Sequence, residues 1–263
     1  MSRNFRYALL GHFLLSVAAF FMVSQTANLF PAHKISTIYK LALACSTFSV
    51  YRLAYYGIKW PYRFSRFFGI REMLISLLLL LFLLPFLEFR ETAGLLLMAL
   101  FCLSYFMEVG TWKGLRTIPV IKSIWVALGW TVTTAVIPLF HVADFSVLLF
   151  FAERFLFMLA LSIIYNLRDM TSDTKLGIST IPHKIGVGRT KQLTILILGI
   201  NAFLIYIHHY SLLISVALNT TLFITTIIVL LAKEGGHQLY YSLAVDATMI
   251  LQSVLVIYAA MYI

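Results

Sequence analysis

Tyr165-Asn166-Leu167-Arg168-Asp169-Met170-Thr171-Ser172-Asp173-Thr174-Lys175-Leu176-Gly177-Ile178-Ser179-Thr180-Ile181-Pro182 closes a long apolar run with a strongly polar segment. Two carboxylates, Asp169 and Asp173, stand four residues apart within it. On a helix, positions i and i+4 share a face, so this pair could chelate one divalent cation and hold an anionic ligand through it. A carboxylate pair at a helix end is more often simply solvated, so its meaning depends on what surrounds it.

Its surroundings are apolar. Of 263 residues, 61% are hydrophobic and only 11% charged, where a soluble domain carries roughly 25%. Mean hydropathy is +0.93. Crossing about 30 Å of hydrocarbon takes roughly 20 residues of helix. Runs of that kind lie near 7–30, 36–57, 72–88, 92–109, 119–140, 145–167, 191–208, 211–232 and 239–262, nine in all. The predicted fold is all-α, a polytopic membrane bundle of about nine transmembrane helices. No Pro/Gly-rich hinge, charge block or internal repeat divides the chain, so residues 1–263 read as a single integral-membrane domain.

Charge placement orients the bundle. With nine spans, 15 of the 20 Lys and Arg fall near the ends on the N-terminal side and only Lys34 and Arg90 on the other. The positive-inside rule then puts the N-terminus, Asp169 and Asp173 in the cytoplasm. The same rule accounts for the formal charge of +10 without nucleic acid. Cys45 and Cys102 sit in apolar spans and have no metal-ligand spacing. The first span is too long for a signal-peptide core and reads as retained. Three connections on the cytoplasmic side, 58–71, 109–118 and 168–190, are long and basic. A cavity built from them suits an anionic head group on a greasy tail.

Ionisable residues inside spans are costly and each needs a reason. Arg52 and Asp246 both lie roughly 7–11 Å below the cytoplasmic boundary at 1.5 Å per residue, so they are expected to pair or to line a cavity. Glu153 and Arg154 lie mid-span and are expected to join helices.

Tyr165, Asp169, Asp173, Lys175, Gly177, Ile178, Thr180 and Pro182 also follow the spacing Y-x-x-x-D-x-x-x-D-x-K-x-G-I-x-T-x-P. This resembles the second aspartate-rich motif of the UbiA superfamily of intramembrane prenyltransferases, where it follows the sixth of nine spans on the cytoplasmic side. Lys113 and Arg116, with Pro119 and Gly129, look like the basic connection between that family's fourth and fifth spans. The resemblance implies a bundle around a central cavity open to the cytoplasm and to lipid. It implies transfer of a prenyl group from an isoprenyl diphosphate to a lipophilic, commonly aromatic acceptor, with Mg²⁺ as cofactor. Carried onto this chain, Asp169 and Asp173 would be the metal ligands. Lys175, Arg168, Lys113 and Arg116 would be phosphate contacts, and Gly177 would end the helix carrying the acids.

One departure matters. The family's first motif, N-x-x-x-D-x-x-x-D, should fall between Ser46 and Trp60, a stretch with no carboxylate and no asparagine. Two consequences compete. Arg52 and Lys59 replace one metal as direct cationic partners of the diphosphate, with Asp246 behind Arg52. Alternatively, the chain keeps the fold without transfer and serves as a lipid-binding or scaffold membrane protein. A small-solute transporter is disfavoured by the lack of a visible internal duplication.

Overall fold

Hydrocarbon offers a backbone no hydrogen bonds, so continuously apolar segments fold as helices that satisfy their own. The computed structural model describes residues 3–57, 67–106, 115–142, 144–175 and 177–262, and no strand occurs among them. The helices are α1 (Arg3–Leu29), α2 (Thr37–Gly57), α3 (Phe67–Leu83), α4 (Phe89–Phe106), α5 (Pro119–Leu139), α6 (Phe145–Lys175), α7 (Ile181–His208), α8 (Leu212–Leu231) and α9 (238–260). Each expected run coincides with one of them. Among the described residues six, namely α1 and α5 to α9, are long and apolar enough to cross a membrane, against the nine spans expected.

Helix ends depart from hydropathy in three places. α3 stops at Leu83 and passes into a 3-10 turn, Leu84–Phe86, short of the expected end at 88. Pro85 lies in that turn and has no N–H to continue the ladder. α6 runs past 167 to Lys175, because polar side chains do not break a helix whose backbone bonds are intact. α7 begins at Ile181, not 191, and bends at Gly186, where φ of 82° suits glycine.

Helices adjacent in sequence are mostly adjacent in space. α1 packs on α2, α2 on α3 and α4, and α4 on α5. From there α5, α6, α7, α8 and α9 follow in turn, and α9 returns to α1 to close the bundle. α6 is the spine, with buried residues recurring from Val147 to Asp173. Apolar side chains left open, such as Leu78, Phe82, Leu212 and Phe223, lie on the periphery where lipid would cover them.

Two helices contain π turns, Val132–Val136 in α5 and Tyr241–Val245 in α9. A π turn shifts the hydrogen-bond ladder and frees carbonyls. In α5 the carbonyls of Thr134 and Thr133 accept from Thr26 Oγ1 of α1 and the Tyr39 hydroxyl of α2, each at 2.7 Å. The far end of the bundle from Asp169 holds a second polar network. There Glu153 Oε1 lies 2.7 Å from His208 Nδ1, and Tyr210 donates to Oε2 at 3.1 Å. Arg154 donates to Gln25 of α1 at 3.0 Å, and Asn201 of α7 to the Glu153 carbonyl at 3.1 Å. Glu153 and Arg154 therefore join helices, as expected.

Thr26→Val and Tyr39→Phe each strip an outside donor from the α5 π turn. Each is expected to cost about 1 kcal/mol, read as a lower unfolding midpoint in detergent. An unchanged midpoint in both would mean the freed carbonyls need no partner.

Candidate functional site

Asp169 and Asp173 ride on the last two turns of α6. Gly177, at φ +68°, ends that helix: its N–H donates to the Thr174 carbonyl at 3.1 Å and the Ile178 N–H to the Asp173 carbonyl at 2.8 Å. This is a Schellman closure, and it fixes the turn that carries Asp173. Immediately afterwards Thr180 and His183 form a capping box for α7, with Pro182 in its first turn. His183 Nδ1 accepts from the Thr180 N–H at 3.1 Å, while its Nε2 lies 2.9 Å from Thr174 Oγ1. One imidazole thus spans from the end of α6 to the start of α7. The connection between α8 and α9 is tied to the same helix by the Gly235 N–H, which donates to the Leu167 carbonyl at 2.9 Å.

Each carboxylate faces a cation. Arg168 grips Asp169 with two bonds, Nε to Oδ1 at 2.7 Å and Nη2 to Oδ2 at 3.2 Å. Its guanidinium also lies 4.6 Å from the Tyr165 ring centroid and 6.0 Å from that of Tyr241, within range of cation–π attraction. Lys122 of α5 donates to Asp173 Oδ2 at 2.8 Å, with the two side chains 14% and 8% exposed. Asn166 of α6 donates to Ser123 Oγ at 2.9 Å and pins α5 beside α6. Lys122 therefore belongs to the site, although in the sequence it is one more cation at a span end. The only signal for it is its place one helix before the acidic motif.

Asp246 and Arg52 do not pair with each other, which removes one of the two readings open for them. α2 packs on α1, α3 and α4, so the acid that reaches Arg52 comes from α3: Glu72 Oε2, 3.5 Å from Arg52 Nη2. Asp246, buried near the start of α9's regular part, instead accepts a short hydrogen bond from the Tyr165 hydroxyl. That hydroxyl also lies 3.1 Å from the Tyr241 carbonyl, which takes the Asp246 N–H through the π turn. Arg168 is within electrostatic reach of Asp246. Further members come from α1, α2 and α5. The His12 ring lies 6.1 Å from that of Tyr51 and is in electrostatic reach of Arg52 and Arg168. Trp130 Nε1 donates to the Tyr51 hydroxyl at 3.3 Å.

Of the other sequence-named cations the structure places only two. Lys175 is exposed on the last turn of α6. Arg116 lies in the 3-10 turn Leu115–Thr117 that precedes α5. Lys59 and Lys113 fall outside the described residues.

The donors can be tested against a metal. Among the described residues no three His, Cys, Asp or Glu side chains converge as a metal site. Mg²⁺, however, is commonly held by one or two carboxylates, with phosphate oxygens and waters completing its shell. Asp169 and Asp173 fit one such ion but not a two-metal centre. Arg168 and Lys122 already place positive charge on the same oxygens.

No protein-family sequence model matches the chain, and no curated protein sequence does. Its fold does match solved structures. A UbiA homologue from Archaeoglobus fulgidus bound to Cd²⁺ superposes with a TM-score of 0.66 at 15% identity, over 97% of this chain and 96% of that one. The same homologue bound to GPP and Mg²⁺ gives 0.64 at 13% identity, over 98% of each chain. A digeranylgeranylglyceryl phosphate synthase structure gives 0.59 at 13% identity over the full length of both. The chain therefore has the fold of the UbiA homologues, an all-α membrane bundle.

Lys122→Met leaves the Asp173 carboxylate without its cation in a nearly closed setting. It is expected to destabilise the protein by about 3 kcal/mol. Adding Asp173→Leu should restore most of that loss, a coupling of about 1–3 kcal/mol in a double-mutant cycle. Strictly additive losses would mean that the pair does not form.

Proposed function

We propose that this chain is a UbiA-type prenyltransferase, moving a prenyl group from an isoprenyl diphosphate to a lipophilic acceptor within the cytoplasmic membrane. The observation that carries the proposal is the pairing of Asp169 and Asp173 with Arg168 and Lys122, next to an aromatic group, on a fold shared with homologues solved with GPP and Mg²⁺. The N-terminus and the acidic end of α6 face the cytoplasm on this reading, following the bias of Lys and Arg.

Asp169 and Asp173 would hold one Mg²⁺, which when bound supplies positive charge to the departing diphosphate. Arg168 and Lys122, each paired with one of these carboxylates, would serve as contacts for phosphate oxygens. Arginine suits that contact because its planar fork meets two oxygens at once. Arg52, lodged against Glu72, takes the part of a cation on the side where the family's first acidic motif is missing. Lys59, Lys113, Arg116 and Lys175 remain candidate contacts of the diphosphate from the connections. The rings of Tyr51, Trp130, Tyr165 and Tyr241 present π faces that stabilise an allylic cation and exclude water.

A second reading has its own support. The stretch from Ser46 to Trp60 has no carboxylate and Arg168 takes both oxygens of Asp169, which suits a chain that holds a lipid or a scaffold partner with no transfer chemistry.

One titration separates the two. Purified protein is expected to bind a non-hydrolysable farnesyl or geranylgeranyl diphosphate analogue in a Mg²⁺-dependent manner. EDTA should abolish binding, and Asp169→Asn or Asp173→Asn should weaken it by at least about tenfold, since each loses a charged ligand worth more than about 1.4 kcal/mol. Binding that is indifferent to Mg²⁺ and to both substitutions would favour the non-catalytic reading.

A further inference from the structure

Asp246 is the acid that the diphosphate chemistry leaves unused. It is 2% exposed. Among the described residues no cation lies in ion-pair contact with it, since Arg168 gives its Nε and Nη2 to Asp169, Lys122 its ammonium to Asp173, and Arg52 its Nη2 to Glu72. Its hydrogen bond comes from the Tyr165 hydroxyl. The π turn Tyr241–Val245 builds this contact: its first carbonyl takes the Asp246 N–H and lies 3.1 Å from the same Tyr165 hydroxyl. Such turns are frequent at functional sites. Tyr165 in turn lies one helical turn before Asp169, with Arg168 over its ring at 4.6 Å. The tyrosine thus links the diphosphate cations to an acid that those cations do not neutralise by contact.

We infer that Tyr165 takes the proton of the acceptor, that Asp246 positions it and receives its proton in turn, and that the acceptor is a hydroxyl compound, an alcohol or a phenol. This rests on the prenyl-transfer reading above. In the step, the acceptor O–H bond breaks and its electron pair forms the new bond to the prenyl C1. The C1–O bond to diphosphate breaks, with its pair leaving on the diphosphate. The proton passes to Tyr165 Oη as the tyrosine's own proton passes to Asp246 Oδ1, and Asp246 returns it to solvent between turnovers. The diphosphate is a poor alternative base, because Arg168, Lys122 and the metal withdraw charge from its oxygens. The charged and titratable groups that face the dyad are Tyr51 from α2 and Arg168 from α6, and the Tyr241 ring of α9 lies 5.7 Å from that of Tyr165.

The test uses the full chain in liposomes with geranylgeranyl diphosphate and Mg²⁺, offering a para-alkylphenol, a long-chain alcohol and, as the non-hydroxyl control, an alkylindole. The wild type should alkylate a hydroxyl acceptor, with kcat rising from acid pH to a plateau as the dyad loses its proton. Asp246→Asn and Tyr165→Phe should each lower kcat at neutral pH by about 10²-fold, abolish that rising limb, and leave the Kd for the diphosphate analogue within twofold. Tyr165→Phe removes a single oxygen, and the unchanged Kd certifies folding. Two outcomes overturn the inference alone: an unchanged rate and pH profile in both variants with normal diphosphate binding, or transfer by the wild type only to the indole. A wild type that binds no diphosphate overturns the prenyl-transfer reading, and this inference with it.

Discussion

Inside a bilayer a polar group has no solvent to fall back on, and each one must find its partner within the protein. That constraint accounts for most of the specific contacts in this bundle. The hydroxyls of Thr26 and Tyr39 go to carbonyls in the α5 π turn, where Pro138 has no N–H to offer Thr134. Mid-span Glu153 is closed off by His208 and Tyr210, and Arg154 reaches Gln25. These are interhelical bonds between segments far apart in the chain, so they select one arrangement of helices from many of equal apolarity. Apolar packing has little power to do this in a membrane, where lipid tails are as good a neighbour as leucine.

The same constraint shapes the acidic end of α6. Asp173 is nearly closed to solvent and Asp169 is partly so, and an isolated carboxylate in either place would be costly. Lys122 and Arg168 remove that cost at distances of 2.8 and 2.7 Å. Each acid is paired within the protein, and the proposed reading would have the same four side chains exchange partners on binding a magnesium diphosphate. On the proposed reading, Asp169 and Asp173 would hold the metal and Arg168 and Lys122 would serve phosphate, so that each of these charges would keep a partner of opposite sign.

Much of this was legible in one dimension. Each apolar run coincides with a helix among the described residues, six of them long and apolar enough to cross a membrane, and the spacing of Asp169, Asp173 and Gly177 announced a helix end carrying two acids. Gly177 does end it, through φ +68° and the Ile178-to-Asp173 bond. Helix ends were less legible, because hydropathy reports where lipid stops and not where backbone hydrogen bonding stops. α6 therefore outruns its apolar stretch, and α7 starts ten residues earlier than its own, at Ile181 instead of 191. Pairing was the least legible of all. Arg52 and Asp246 matched in depth and charge, but depth says nothing about which helices touch. The neighbour of α2 is α3, so Glu72 reached Arg52 and left Asp246 to Tyr165. Lys122 was hidden for the same reason.

The absence of acids between Ser46 and Trp60 has a consequence that the pairing pattern makes concrete. Where a two-metal centre would gather carboxylates from two helices, this chain sets Arg52 on α2 and one acid pair on α6. A positive side chain and a metal ion both neutralise phosphate, but they differ in what they demand of the protein. A second ion needs its own carboxylates, and those acids repel the first pair and the substrate whenever the ion is away. A guanidinium brings its charge permanently, and here the Glu72 carboxylate lies 3.5 Å from it. On the proposed reading the substitution would trade a charge supplied from solution for one built into the fold, and a single carboxylate pair would be the place where metal concentration acts.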